Sequence, residues 1–594
     1  MRRPSLTDAI ADANTYETLH QEHLGLRRLL VFTLCAVSWA GLGAFAAGIL
    51  GGGWLSLQTL VLMLFLLSLP WGLLCLWNAI IGFVILRFVD NPASFTNPAL
   101  RRTPIPAAMT TRTAICLAVR NEAVEPVFKR LEALIESLEA TSEAAAFAIH
   151  ILSDSDNPAI MASEQSALDK LRQIFVRPDF LHYRRRAINT GFKAGNLHDF
   201  TKHEGHNYDF MIVLDADSLM SGAAILRLVR VMQANPQLGI LQTLAVAQPS
   251  SNAFTRIFQF GMRNGMRTHA TGMAWWQGPD GPYWGHNAII RVAPFAACCG
   301  LPDIPGKGPL AGPILSHDQV EAALMRRAGF EVRLIVDEFG SWEENPPDLP
   351  SFVERDLRWC QGNLQYLKLF GHIRLMPMGM FQLANAIMMY LGSIFWVLQL
   401  LAGLCLAIAG SRARAVFAIY LIMFALGFVP RLLGTIDSML SPEQRQRYGG
   451  AGRLLLNTLA DALFSILLGT VMTIEQSIFI VGLIFGRRVT WESQRRDGGG
   501  VRGLDAARGL WPQTFFGVIM AFVLAVFAPD ALPWALPTLL SCLLAIPFAI
   551  ITALPGLGYF MQRNGICAIP EEVGINEEQP RSPPAGKSVR FPRQ

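Results

Sequence analysis

Phe210-Met-Ile-Val-Leu-Asp215-Ala-Asp217 decides how the rest of the chain is read. Its apolar run is too short for a helix and fits a strand buried on both faces. Such strands belong to sheets covered by helices, where ligands bind beyond the carboxyl ends of the strands. The run stops on Asp215 and Asp217, so two carboxylates spaced by one residue stand at such an end. A pair of this kind holds a hard divalent cation together with substrate phosphates, or it closes a turn or caps a helix. The strand before it and the small Ser218 and Gly222 behind it favour the first reading.

The flanking sequence repeats the pattern. Thr113-Ala-Ile-Cys-Leu-Ala-Val119 reads as a second buried strand. After it, Val124, Val127, Phe128, Leu131, Leu134, Ile135 and Leu138 form a helical stripe. Further strands are expected at 147–152, 239–244 and 332–336, and Asp154 follows the first of these. Strands alternating with helices predict an α/β domain with a sheet covered on both faces.

Three more stretches carry chemistry. Arg184-Arg185-Arg186-Ala-Ile-Asn-Thr-Gly-Phe-Lys193-Ala-Gly195-Asn196 is basic, then glycine-bearing, as suits a diphosphate or simply a solvated charge run. Ser316-His317-Asp318-Gln319 opens a helical pattern. Adjacent residues cannot form a hydrolase triad, so Ser316 reads as a helix cap. Asp318 reads as an acid kept ionised near a helix N-terminus, either a general base or a second capping acid. Arg355, Arg358 and Trp359 fall at i, i+3 and i+4, on one helical face. Two guanidinium groups beside an indole suit a diphosphate next to a sugar ring; they equally suit a helix at the membrane surface.

This block sits inside a membrane protein. Of the 594 residues, 52% are hydrophobic and 16% charged, with a net charge of +5. That excludes a disordered chain and an ordinary soluble enzyme, and the cations lie beside apolar runs rather than on a nucleic-acid stripe. The nine cysteines form no C-x-x-C pair, so neither a zinc site nor a disulfide framework is expected. Residues 29–86 carry no Asp, Glu, Lys, Arg or His, enough for two crossings turning near Gly51-Gly52-Gly53. Further crossings are expected near 380–408, 415–434, 511–529 and 534–557. The segment 454–486, interrupted by Asp461 and Glu475, reads as a tight hairpin or as an interfacial helix with a re-entrant piece. Arg2, Arg3, Arg27, Arg28, Arg87, Arg101, Arg102, Arg445, Arg447, Arg453, Arg487, Arg488, Arg495, Arg496, Arg502 and Arg508 then lie on one side, the cytoplasmic one, with Arg412 and Arg414 breaking the rule. The expectation is about eight crossings. The expected organisation is a cytoplasmic segment 1–28, two transmembrane helices in 29–88, a cytoplasmic α/β domain 89–374, a transmembrane region 375–562 with an Arg/Gly-rich cytoplasmic loop 487–509, and a cytoplasmic tail 563–594.

Taken together, Asp154, Asp215-x-Asp217, Asp318 and Arg355-x-x-Arg358-Trp359 resemble, in order and rough spacing, the motifs of processive, membrane-embedded family 2 glycosyltransferases. Two departures, Ser-His-Asp in the third motif and Arg355 in the fourth, narrow the resemblance. So do Gly191-Phe-Lys193-Ala-Gly195-Asn196, Trp284-Gly285-His286-Asn287-Ala288 and Arg358-Trp359-Cys360-Gln361-Gly362-Asn363. They point to the glucans biosynthesis glucosyltransferase H branch, which makes the β-1,2-linked backbone of osmoregulated periplasmic glucans. The resemblance implies an inner-membrane protein with a GT-A (Rossmann-like) domain, UDP-glucose as donor, Mg²⁺ (or Mn²⁺) as cofactor and a growing β-glucan as acceptor. It suggests acyl carrier protein as a further partner, and no nucleic acid. It also implies roles. Asn121, Glu122 and Asp154 would line the uridine pocket, and Lys193 would approach the diphosphate. Asp217, with Asp215, would hold the metal. Asp318 would be the catalytic base, Arg355 and Arg358 would meet departing UDP, and Trp359 would stack on the acceptor. Arg488-Val489-Thr490-Trp491 resembles a gating-loop motif of cellulose synthases. Trp396 and Gln399 are candidates to line a path for the glucan. The alternatives are a cellulose-, chitin- or hyaluronan-type synthase, a transporter with a regulatory domain, or a scaffold that binds nucleotide-sugar. Ser-His-Asp and Arg-x-x-Arg-Trp argue against the first, the four ordered motifs against the second, and an intact Asp318 against the third.

Overall fold

The computed structural model describes residues 23–51, 56–101, 108–175, 177, 180–410, 412–489 and 499–573. Gly52, Gly53, Arg2, Arg3, Arg102, Thr490, Trp491, Arg495, Arg496 and the tail from 574 lie outside the described residues.

Two apolar helices, α1 (Leu24–Leu50) and α2 (Leu57–Phe88), precede the first strand. The block that follows is built on a seven-stranded sheet in the order β3-β2-β1-β4-β8-β6-β9. Its strands are β1 (Thr113–Val119), β2 (Phe147–Ser153), β3 (Leu181–Arg185), β4 (Phe210–Asp215), β6 (Leu238–Gln242), β8 (Ala288–Arg291) and β9 (Glu331–Leu334). A smaller sheet, β5 (Leu219–Met220), β10 (Ser341–Glu343) and β7 (Val246–Ala247), stands beside it. The main sheet is mixed, because β8 runs antiparallel between β4 and β6. All five expected strands are present, while β3 and β8 were not expected. β3 is a polar edge strand hidden in the basic run, and β8 has too few residues to show alternation.

Strand side chains alternate between two cores. Ile115, Leu117, Ile149, Ile212 and Leu214 pack on one face against α3 (Val124–Glu139). Ala114, Cys116, Met211 and Val213 pack on the other face against Leu197 and Phe200 of α5 (Phe192–His203). The longer of the other block helices are α4 (Pro158–Ile174), α6 (Gly222–Ala234), α7 (Ala253–Gln277), α8 (His317–Arg327) and α9 (Leu349–Leu364). The expected stripe on α3 is the buried one, with Val127, Phe128, Leu131, Leu134, Ile135 and Leu138 inside.

After α9 come α10 (Pro377–Ile408), α11 (Ala413–Leu440), α12 (Ala451–Ile484), α13 (Gly503–Phe527) and a pair bent by 55°, which contains α14 (Leu532–Leu543) and α15 (Ala545–Thr552). Among the described residues six helices are long and apolar enough to cross a membrane, or seven with the bent pair. The expectation of about eight crossings is therefore too high. The excess comes from 454–486, which is neither hairpin nor re-entrant piece but part of the single helix α12.

α12 lies along the α/β block. Near its start Leu454 joins Ala253 and Phe260 of α7 in one cluster. Farther on, Phe464 stacks edge-on Phe254 at 5.2 Å. Near its end Gln476 binds Asp356 of α9, and Phe479, Ile480 and Leu483 join the cluster of Leu357 and Cys360. Both ends of α12 therefore lie on the block's side. Arg28–Asp280 and Arg447–Glu338 ion pairs mark the same side, whereas Arg412 at the α10–α11 turn donates to the Ile49 carbonyl at the far end of α1.

α7 is the joint between block and membrane helices. It crosses α2 and α11 at backbone contact: a Cβ on Gly82 would stand 1.8 Å from the Thr268 carbonyl oxygen, and one on Gly434 1.8 Å from that of Asn264. Small residues at such crossings allow close packing where no hydrophobic force acts between helices in lipid. Beyond the last membrane helix the chain returns to α7. Buried Arg256 pairs with Glu572, and buried Arg263 with Glu571 and Glu338. Glu571 also accepts from the indole of Trp342 on β10 at 3.2 Å. Residues 565–573, the start of the expected tail, are thus built into the block.

Candidate active site

The carboxyl ends of β1, β2 and β4 open into one cavity of about 880 Å³. All ten candidate residues line it: Asn121, Glu122, Asp154, Lys193, Asp215, Asp217, Asp318, Arg355, Arg358 and Trp359. They come from sequence positions more than 200 residues apart, brought together by the sheet order.

At the β1 end Asn121 adopts a left-handed conformation, φ 51°. Its side chain donates to Asp156 at 2.6 Å and accepts from the Asp156 and Asn157 amides at 3.1 Å, which pins the β1 and β2 loops together. Asp154 is held bidentately by Arg186, at 2.8 and 2.7 Å. Arg186 also binds Asp199 and the carbonyls of Thr190 and Phe192. The basic run is therefore a folded part of the pocket wall, and Asp154 presents itself as half of an ion pair.

Asp215 ends β4 and pairs with Lys193, whose ammonium group also donates to the Gly285 carbonyl at 2.7 Å. Gly285 has φ +85°, and a Cβ there would lie 3.6 Å from that of Asp318 and 3.9 Å from the Lys193 nitrogen. Asp318, Lys193 and Asp215 thus meet around one glycine. Among the described residues no group of three or more His, Cys, Asp or Glu side chains is arranged to hold a metal. Asp215 and Asp217 alone fit a Mg²⁺-like ion that takes its other ligands from phosphate oxygens; they do not fit a closed structural site.

Ser316 occupies the N-cap position of α8, but its side chain makes no cap bond. His317 pairs with Glu321 at 2.9 Å, not with Asp318, so no Ser-His-Asp relay exists. Asp318 sits in the first turn of α8, as expected. Arg355 lies over the Trp359 ring at 4.8 Å, and Trp359 remains 49% exposed, an open aromatic platform on the cavity wall.

Two cavity residues were not foreseen. His286 sits 3.3 Å from Glu343 of β10, beside the Asp215–Asp217 end. Burial alone would lower its pKa, but the Glu343 and Asp215 carboxylates outweigh burial and raise it. His286 stood inside a quoted motif, so its position was visible but not its role. Glu343 belongs to a strand too short to be read. Trp396 and Gln399 do not line the cavity. Trp396 packs on Tyr420 and Phe424, and Gln399 is buried with neither amide atom hydrogen-bonded.

Comparison with known proteins places the chain among glycosyltransferases. "Glycosyl transferase family 2" matches residues 114–298 and "Glycosyl transferase family group 2" residues 210–429. Proteins named glucans biosynthesis glucosyltransferase H are similar over most of the chain. That of Vibrio cholerae serotype O1 is 36% identical, covering 88% of this chain and 74% of its own length. That of Bradyrhizobium diazoefficiens is 36% identical, covering 97% and 78%. That of Xanthomonas campestris pv. campestris is 33% identical, covering 93% and 88%. A solved mannosyltransferase from Pyrobaculum calidifontis, in complex with GDP-Man and Mn²⁺, overlays with a TM-score of 0.37 at 15% identity, covering 69% of this chain and 98% of its own; a likeness of that size carries no conclusion.

Proposed function

The chain belongs to the family 2 glycosyltransferases, in the glucans biosynthesis glucosyltransferase H branch, and from that membership we propose that it polymerises glucose from UDP-glucose into a linear β-1,2-glucan. The observation that carries the mechanism is the convergence of Asp318, Lys193 and Asp215 around Gly285 in one cavity.

Asn121, Glu122 and the Asp154–Arg186 pair hold the nucleoside, and Lys193 meets the diphosphate. Asp217 and Asp215 would hold a Mg²⁺ or Mn²⁺ ion, which when bound would supply charge to offset the leaving group. Asp318 accepts the proton of the acceptor hydroxyl as that oxygen bonds to the anomeric carbon from the face opposite UDP. The carbon–oxygen bond to UDP breaks, and Arg355 and Arg358 stabilise the departing charge. One displacement inverts the anomeric carbon, so an α-linked donor yields a β-linked product. Trp359 gives the acceptor sugar an apolar face to lie on.

The block and both termini face the cytoplasm across the inner membrane, and acyl carrier protein is a candidate partner. Transfer is coupled to passage of the product, since the cavity extends to Met389 and Tyr390 of α10, a candidate membrane helix. The test is UDP release by the purified protein with UDP-glucose and Mg²⁺. Release is expected to need the metal and to vanish in Asp217→Asn, with the protein still folded. Full activity in EDTA, or an unaffected Asp217→Asn variant, refutes the metal assignment.

A further inference from the structure

One wall of the cavity is formed by the candidate membrane helix α10, through Met389 and Tyr390. Behind that wall three helices share a chain of polar groups. The carboxylate of Asp356, on α9 between Arg355 and Arg358, accepts from the Gln476 amide of α12 at 2.7 Å and from the Tyr390 hydroxyl of α10 at 3.4 Å. The Gln476 amide oxygen in turn accepts from the Ser393 hydroxyl, one turn along α10. One carboxylate therefore ties the helix bearing Arg355, Arg358 and Trp359 to both α12 and α10, the first helix after the block.

Asp356 does not itself line the cavity. Burial pushes its carboxyl up to about 6, against the pull of Gln476 and Arg355. An apolar side chain would join α9 to α12 without that penalty. What the carboxylate adds is direction and register: it fixes Tyr390, on the cavity wall, relative to Trp359, the platform for the acceptor sugar. Trp359 and Tyr390 line the same cavity, so a shift of Tyr390 reaches α9 through Asp356.

We propose that Asp356 is a positioning residue for chain extension, holding Tyr390 and the Trp359 helix in the register that re-presents the glucan end after each transfer. This role rests on the polymerising activity proposed above. The acceptor it serves is a neutral, hydroxyl-rich chain, recognised by ring stacking and hydroxyl hydrogen bonds.

The experiment uses the full-length protein in lipid nanodiscs with UDP-glucose and Mg²⁺, and reads both initial UDP release and the length of the glucan. Asp356→Asn and Gln476→Leu are expected to shorten the product by about tenfold, the lower end of what a hydrogen bond to a charged group contributes, with UDP release and donor KM within about twofold of wild type. The reciprocal pair Asp356→Asn with Gln476→Glu rebuilds a carboxylate–amide contact with its ends exchanged and is expected to restore length. Wild-type lengths in both single variants overturn the proposal. So does a loss of UDP release that tracks length and resists the reciprocal pair, the signature of mere misfolding. A wild-type protein that releases UDP but builds no polymer overturns the proposed function itself, a failure distinct from unaltered lengths in the variants.

Discussion

Asp318 differs from Asn by a charge and hardly by volume, so Asp318→Asn isolates its role as base. The expected result is a fall in kcat of about 10²-fold or more, the usual size of general-base catalysis, with UDP affinity near wild type. Stopped turnover measured beside UDP binding checks this. Lost UDP affinity at normal maximal rate reassigns Asp318 to the donor pocket. Asp356 makes a separate prediction in pH. Burial pushes its carboxyl up to about 6, above the ordinary aspartate value of 3.8. A raised carboxyl pKa favours the protonated native state, so its contribution is complete below about 3.8 and is lost as pH rises through about 6. The difference in thermal stability between wild type and Asp356→Asn should therefore change across that window and stay level above it. A level difference throughout shows that the carboxyl is not perturbed. At this scale the sequence was most readable where residues stood at strand ends, as Asp215 and Asp217 do. It was silent on partners: nothing in the run of arginines distinguishes Arg186, bound to Asp154, from its neighbours.

Elements were legible in proportion to their length and apolar content. β1, β2 and β4 stood out as buried runs and α3 as a stripe, because each is long enough to show its period. β8 and β10 escaped because they are short and take their place from neighbouring strands rather than from their own pattern. α12 misled for a different reason. Asp461 and Glu475 looked like interruptions of a crossing, whereas they are buried polar positions on a helix packed against the block, with Asp461 near Arg431 and Glu475 bound to Gln513. The return of residues 565–573 to α7 had no local signal, since its cause is two buried arginines some 300 residues earlier. Glu571→Ala leaves Arg263 with one partner fewer in the interior. Removing a partner from a buried ion pair typically costs about 3–5 kcal/mol, so a clear drop in unfolding temperature is expected. Because Glu571 also holds Trp342, next to Glu343, activity should fall at temperatures where the variant is still folded. Unchanged stability shows that residues 565–573 are only loosely attached.

At the scale of the molecule, catalysis and membrane are one unit. The cavity reaches from the sheet to α10, with α7 and α9 lining it between them and α12 packed behind those two. A glucan is strongly hydrated and does not cross about 30 Å of hydrocarbon unaided, so a product born at this wall needs a path among the helices. The most direct measurement uses sealed vesicles with the catalytic block outward, supplied with labelled UDP-glucose and Mg²⁺. It follows label in polymer that a β-1,2-glucanase can digest, before and after detergent. The predicted result is polymer protected until detergent is added and digested afterwards. Absence of any β-1,2-glucanase-sensitive polymer after detergent contradicts the assigned reaction, and digestion without detergent contradicts its coupling to passage through the membrane.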